Sequence, residues 1–303
     1  MKKIGKITAV AVLMTAMVLG PSTMVRAATA TVDLGTAGNF AVLAGTPVLT
    51  NTGNSVITGD VGLSPAGGGG FAGFPPAVVH GTIYAVDAFG PSGSINDPDL
   101  LTIAKNDLTA AYGDAAGRTP VTTVTTELGG LTLTSGVYTS ASTALQITAG
   151  AGALVLDGQN DPNAVFIFEG SDEQAGSLTV GPGSTVSLIN GAQPCNVFWR
   201  VYGATIDTTA VFKGNLMALT SITVADGANI EGRLLARNGQ VTLINDTITA
   251  AVCAAGTDTT TVPGLPETGV SSTNSKNLID MLILAGIFAG SLILTISLRK
   301  REI

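Results

Sequence analysis

The feature that most constrains this chain is a short strand-and-turn unit that keeps returning. Leu178-Thr179-Val180, followed by Gly181-Pro182-Gly183 and Val186, is matched by Ile222-Thr223-Val224, followed by Ala225-Asp226-Gly227 and Ile230. A second pattern, Gly-x-apolar-x-Ala, runs through Gly214-Asn215-Leu216-Met217-Ala218 and returns 18 residues later as Gly232-Arg233-Leu234-Leu235-Ala236. Related copies stand far upstream, at Gly59-Asp60-Val61-Gly62-Leu63 and Gly81-Thr82-Ile83-Tyr84-Ala85. Period-two alternation marks strands, and the Gly-rich breaks mark tight turns. One such unit cannot bury its apolar side alone but can do so by stacking on its own copies. The expected fold is therefore an all-β chain coiled into a β-solenoid (β-helix) that draws on both halves of the sequence.

Composition agrees with many short strands closed by turns. Charged residues make up 12% of the chain, and glycine accounts for 39 of 303 residues, against roughly 25% and 7% in ordinary globular proteins. Between residues 28 and 268 there are six Lys and Arg against nineteen Asp and Glu. A surface that acidic draws in neither nucleic acid nor anionic lipid.

Strands are expected at Phe40–Ala44 and Val56–Leu63, then through a main body of coils from Glu127 to Thr249. The Gly- and Pro-rich stretch Ala66–Pro76 reads as a loop that cannot continue a strand. The spacing predicts one helix over Asn96–Gly117. Asp97 stands as its N-cap, Pro98 at its first position and Gly117 at its C-cap. Leu101, Ala104, Leu108, Ala111, Tyr112 and Ala115 form an apolar stripe suited to covering one face of the coil. Phe166, Phe168, Phe198 and Trp199 read as core residues.

Strand parity then selects the side chains that face out. With Leu145 and Ile147 inward, Thr148 points outward, and the same parity exposes Thr132, Thr134, Thr179, Ser221, Thr223 and Thr242. Thr205, beside Ile206, is a further candidate. On stacked coils these hydroxyls and methyls would form rows on a flat face, broken by Gln146 and Gln240. Threonine is also simply a good strand residue, so each one alone has a purely structural reading.

No convergent catalytic set is present. His80 is the only histidine, and neither a nucleophile elbow, a phosphate loop nor a zinc-helix motif occurs. Most acids sit at turns, as in Asp157-Gly158, Asp161-Pro162-Asn163 and Asp226-Gly227. The reading is that of a non-enzyme with no cofactor and no metal centre, and a monomer is expected. Cys195 and Cys253 are an even pair that in an exported domain suits one disulfide, with two reduced thiols as the alternative.

Both ends read as processing signals. Met1–Ala27 has a basic start at Lys2, Lys3 and Lys6, an apolar stretch from Ile7 to Leu19 and small residues before Ala28, as in a secretory signal peptide. The folded domain is then expected over 28–253 and a Thr/Gly/Pro-rich linker over 254–264. Leu265-Pro266-Glu267-Thr268-Gly269 is followed by a polar spacer, an apolar segment over 278–298 long enough to span a bilayer, and Arg299-Lys300-Arg301. This tail resembles the Leu-Pro-x-Thr-Gly cell-wall sorting signal of Gram-positive bacteria. The resemblance implies that the precursor is inserted in the membrane by a transmembrane helix. A sortase then cleaves between Thr268 and Gly269 and joins Thr268 to peptidoglycan.

Several phrases inside the domain carry a second resemblance. They are Leu34-Gly35-Thr36-Ala37-Gly38-Asn39-Phe40-Ala41-Val42-Leu43-Ala44-Gly45, Ile57-Thr58-Gly59-Asp60-Val61-Gly62, Asp161-Pro162-Asn163-Ala164-Val165-Phe166-Ile167-Phe168, Cys195-Asn196-Val197-Phe198-Trp199 and Gly232-Arg233-Leu234-Leu235-Ala236-Arg237. Together, over about Val32 to Thr249, they resemble the microbial ice-binding proteins. That resemblance implies a discontinuous right-handed β-solenoid of triangular section with one long helix alongside. It also implies adsorption to ice, with ordered water as the contact, through one flat Thr-, Ser- and Ala-bearing face. Parity, not the family, nominates Thr148, Thr179, Thr205, Ser221, Thr223 and Thr242 for that face. The other function this sequence fits is a surface adhesin or structural wall module on the same fold.

Overall fold

The computed structural model describes residues 29–75 and 77–254. The expected signal peptide, most of the linker, the sorting motif Leu265–Gly269 and the apolar segment 278–298 lie outside them. Among the described residues no helix is long and apolar enough to cross a membrane.

The described chain is built from parallel strands in three sheets and a single α-helix, α1 (Pro98–Ala116). Strands join the sheets in turn, so that each pass of the chain stacks on the one before. Leu145–Ile147, Leu154–Asp157 and Phe166–Glu169, for example, enter the seven-stranded, three-stranded and thirteen-stranded sheets respectively. The 18-residue repeat is one such pass: Gly214 pairs with Gly232, and the register holds through Ala218 and Ala236. The repeat of Leu178–Val180 at Ile222–Val224 spans two passes, since Ala204–Ile206 lies between them.

The stack is discontinuous in sequence. Phe40–Ala44 is inserted between Asn229–Ala236 and Asp60–Leu63. Leu49–Thr52 lies between Val241–Ile244 and Phe71–Ala72, and Val56–Thr58 between Thr247–Thr249 and Val79–His80. The four Gly-x-apolar copies thus lie in one sheet, with Leu216, Leu234, Val42, Val61 and Ile83 in one register column. Two local expectations need correction. The stretch over 56–63 is two strands separated by Gly59, whose φ of 128° takes the chain around a corner. The supposed loop Ala66–Pro76 contains the short strand Phe71–Ala72, which pairs with Leu49 and Thr50.

Inward side chains fill the coil. Tyr138, Phe168 and Trp199 stack at 5.6 and 4.1 Å between ring centroids, and Phe212 continues the series at 5.3 Å. The buried Trp199 indole N–H donates to the Lys213 carbonyl at 3.0 Å, which satisfies its one polar atom. Close stacking also needs glycine where the chain turns a corner. A Cβ on Gly232 would lie 1.9 Å from the Gly214 carbonyl oxygen of the neighbouring strand.

Helix α1 lies over the outer side of the largest sheet. Asp97 accepts the Leu100 N–H at 2.9 Å, as an N-cap should. The stripe from Leu101 to Ala115 is buried against Phe40, Leu43, Ile167, Phe198, Met217 and Leu235. Full burial of Leu101 and Leu108 contributes about 1.5–3 kcal/mol each. Polar ties fix the helix position. Lys105 Nζ donates to the Ala236 carbonyl at 2.7 Å, and the Tyr112 hydroxyl lies 3.0 Å from Asp172 and 3.1 Å from the Val201 carbonyl. The Arg200 guanidinium, paired with Asp172, sits 4.4 Å over the Tyr112 ring.

Candidate functional site

The seven-stranded sheet runs in the order Leu145–Ile147, Leu178–Val180, Ala204–Ile206, Ile222–Val224, Val241–Ile244, Leu49–Thr52 and Phe71–Ala72. Its inward positions are buried and, apart from Asn51, apolar: Leu145, Leu178, Ala204, Ile222, Val241 and Leu49 on one side of the central residue, Ile147, Val180, Ile206, Val224 and Leu243 on the other. That burial fixes the register, since a slip of one residue would turn every strand inside out.

The outward central residues form one column. Gln146 pairs with Thr179, Thr179 with Thr205, Thr205 with Thr223, Thr223 with Thr242, Thr242 with Thr50, and Thr50 with Ala72. Five threonines are contiguous, at the strand spacing of about 4.8 Å. Each is β-branched and held stiff at χ1, so the column presents hydroxyls and methyls in a fixed arrangement. No charged side chain stands in it, and the three ion pairs among the described residues, Arg118–Asp114, Arg200–Asp172 and Lys213–Glu231, all lie elsewhere.

The candidates named from parity divide accordingly. Thr179, Thr205, Thr223 and Thr242 stand together in the column. Thr148 is exposed but follows the strand end, outside the column, and its hydroxyl and N–H are both taken by Glu127. Ser221 precedes its strand and lies in a flanking position, where its oxygen accepts the Gln240 N–H at 3.3 Å. Thr132 and Thr134 belong to a different face, the three-stranded sheet, where they pair with Val155 and Asp157. Gln146 closes the column at one end and Gln240 sits beside it, so neither interrupts the threonines. Thr50 and Ala72 were not anticipated. The alternation that would have exposed Thr50 is spoiled by Asn51, a buried inward amide whose Nδ2 donates to the Gly73 carbonyl at 2.9 Å.

Glu127 closes the Gln146 end. Burial would raise its pKa, but hydrogen bonds from Thr148, from the Gly129 N–H and from Gln146 outweigh that and hold the carboxyl below its ordinary value. Its charge, beside this end of the column, is thereby locked against backbone and neighbours. Away from this face, Cys195 and Cys253 are bridged, with Cα atoms 5.4 Å apart. The bridge fastens the last described residues beside the strand Val197–Val201. No group of His, Cys, Asp and Glu among the described residues could hold a metal ion.

Comparison with known proteins agrees with this architecture. The model of the Ice-binding-like family matches residues 42–249. The ice-binding protein of Nostoc sp. (strain HG1) is 42% identical over 234 residues, covering 76% of this chain and 78% of that protein. The ice-binding protein of Flavobacterium frigoris (strain PS1) is 38% identical over 222 residues, covering 72% of this chain and 76% of that protein. Among solved structures, an ice binding protein from an Antarctic Biological Consortium superposes with a TM-score of 0.65 at 40% identity, covering 75% of this chain and 94% of that one. The family match runs through every strand of the threonine column, and the chain is a non-enzymatic member of the Ice-binding-like family.

Proposed function

We propose that this chain adsorbs to ice through the column Thr179, Thr205, Thr223, Thr242 and Thr50. The observation that carries the reading is the unbroken register of those five threonines in a column without a charged side chain. The identities of the relatives, all named for ice binding, support it. The reading takes the stacked coils as the discontinuous right-handed β-solenoid of triangular section that the family resemblance implies.

The mechanism follows from the surface. A row of methyls repels disordered water, while the hydroxyls between them hold water molecules at a regular repeat. Water held in that way can join the ice lattice without rearranging. Because the strands are already fixed by a buried core, little conformational entropy is lost on contact. A charged group would instead hold its own tightly oriented hydration shell, so its absence from the column favours the same role. Once adsorbed, the protein forces ice to grow as curved surfaces between pinned points, which slows growth and recrystallisation.

The C-terminal sequence Leu265-Pro266-Glu267-Thr268-Gly269 supports export and covalent attachment to the cell wall through Thr268, after the apolar segment 278–298 has held the precursor in the membrane. Ice would then be met at the cell envelope.

The test is an ice-recrystallisation and thermal-hysteresis assay of the parent beside Thr179→Tyr plus Thr223→Tyr, with folding followed by circular dichroism. Activity in the parent and loss in the folded double variant is the expected result. Inactivity of a folded parent would overturn ice adsorption, and an active double variant would overturn the choice of face. For the anchor, Thr268→Ala is expected to move the protein out of the covalent wall fraction; retention there would overturn it.

A further inference from the structure

Away from the seven-stranded sheet, a cavity of about 460 Å³ opens where the first and last described segments meet. The exposed Val252 gives it an apolar wall, with Val32, Phe198 and Ala251 buried behind, and Asp33, Asn39 and Arg233 bring polar atoms to it. None of the residues lining it belongs to the threonine column.

Arg233 is the unusual member. Its Nε donates to the Gly38 carbonyl at 2.8 Å and its Nη1 to Asn215 Oδ1 at 2.9 Å. Both acceptors are neutral, and they fix the plane of the guanidinium. Its Nη2 has no acceptor among the described residues, and Arg233 takes part in none of the ion pairs found there. A guanidinium carries five N–H donors in a rigid fork, and an unused edge of that fork matches a carboxylate. Burial pushes the pKa of Arg233 down, and no ion pair offsets it. An anion in the cavity would supply the missing partner.

The surroundings narrow the anion. Asp33 shares the cavity, with one carboxylate oxygen already accepting the Gly35 N–H at 2.9 Å. Its negative charge disfavours a doubly charged guest such as phosphate, while a single carboxylate can pair with Arg233. The exposed Val252 then suits a short apolar body behind that carboxylate.

We propose that this cavity is a binding site for a small monocarboxylate with an apolar body, its carboxylate paired with Arg233. The guest is either a free short-chain acid or the C-terminal carboxylate of a peptide, which share this chemistry.

The full chain is titrated calorimetrically with butyrate, with butyramide, with the dipeptide Ala-Ala, with its C-terminal amide and with inorganic phosphate. The Arg233 Nε–H resonance is followed in parallel. Butyrate or Ala-Ala is expected to bind with a dissociation constant of about 1–10 mM and to shift that resonance, while both amides and phosphate do neither. Binding of butyrate alone identifies a free acid, and binding of Ala-Ala but not its amide identifies a peptide terminus. Arg233→Lys keeps the charge but removes the fork, and Asn39→Trp fills the mouth from an exposed position. Each is expected to weaken binding by roughly tenfold or more. If Arg233→Lys does not fold, Asn39→Trp alone decides. No binding of either carboxylate at about 50 mM, equal binding of phosphate, or unchanged affinity in the folded variants would overturn the proposal.

Discussion

Thr50 and Thr242 are direct neighbours in parallel strands, although one belongs to the first strands of the folded chain and the other to the last. Their pairing extends the threonine column from four residues to five. Thr50→Tyr, which sets a bulky ring at one end of the threonine run, is therefore expected to lower ice-recrystallisation inhibition by roughly tenfold, the size of a hot-spot loss in other interfaces. Thr132→Tyr, on the three-stranded sheet, is expected to leave it unchanged. Dilution series of the two folded variants in a splat-cooling assay distinguish the cases, and equal losses would mean that the column is not the contact surface.

A second prediction concerns how closely the coils stack. Gly232→Ala places a methyl where the Gly214 carbonyl already stands. The strands Val211–Ala218 and Asn229–Ala236 must move apart, at a cost of at least about 1–3 kcal/mol. Urea denaturation measures this directly. The neighbouring change Asn238→Gln, at an exposed position, is a suitable control, and is expected to shift the midpoint far less.

The pH dependence of stability centres on Asp246, which is 1% exposed. Burial pushes its pKa up to about 7, and nearby Asp226 adds to the rise, while N–H groups of Ile244 and Ala228 oppose it. The folded state therefore holds this proton more tightly than the unfolded state does. The stabilisation is complete below about pH 4 and drains away as pH rises towards 7, by at most about 4 kcal/mol. Melting curves between pH 4 and 7.5 should show the parent losing stability relative to Asp246→Asn over that window. A constant difference between the two proteins would refute the assignment.

Reduction of the Cys195–Cys253 bridge, which closes a sequence separation of 58 residues, should cost about 2–4 kcal/mol. Cys195→Ser with Cys253→Ser should reproduce the loss, seen as a lower melting temperature. Ice adsorption by the folded remainder is expected to persist, because the bridge lies outside the threonine sheet. Loss of adsorption at a temperature where the variant remains folded would show that the bridge also shapes that face.

Helix α1 could be read directly from the sequence because its signals are local. Asp97, Pro98 and the six-residue apolar stripe fix its ends and its buried side without knowledge of the rest of the chain. The coil was legible too, through repeats such as Gly214–Ala218 and Gly232–Ala236. The composition of the threonine column was only partly so. Parity says that Thr179, Thr148 and Thr132 face outward, but not onto which sheet, because that depends on pairing between distant passes. Thr50 was hidden by Asn51, whose inward amide breaks the alternation, and by the brevity of the adjoining strand Phe71–Ala72. Glu127 was similarly opaque: its role depends on reaching Thr148 across a pass of the coil.

The insertion of Phe40–Ala44 and Leu49–Thr52 beside strands near residues 229–244 has a kinetic consequence. During synthesis or export from the N-terminus, the earliest segments can pair with Asp60–Leu63 and Phe71–Ala72, but the strands on their other side do not yet exist. They must wait in an open state until the late strands emerge, and then close a very long loop, which makes this a high-contact-order step. The join between Thr242 and Thr50 is consequently a checkpoint in assembly: a nascent chain halted before that point lacks the continuous face that the complete fold presents.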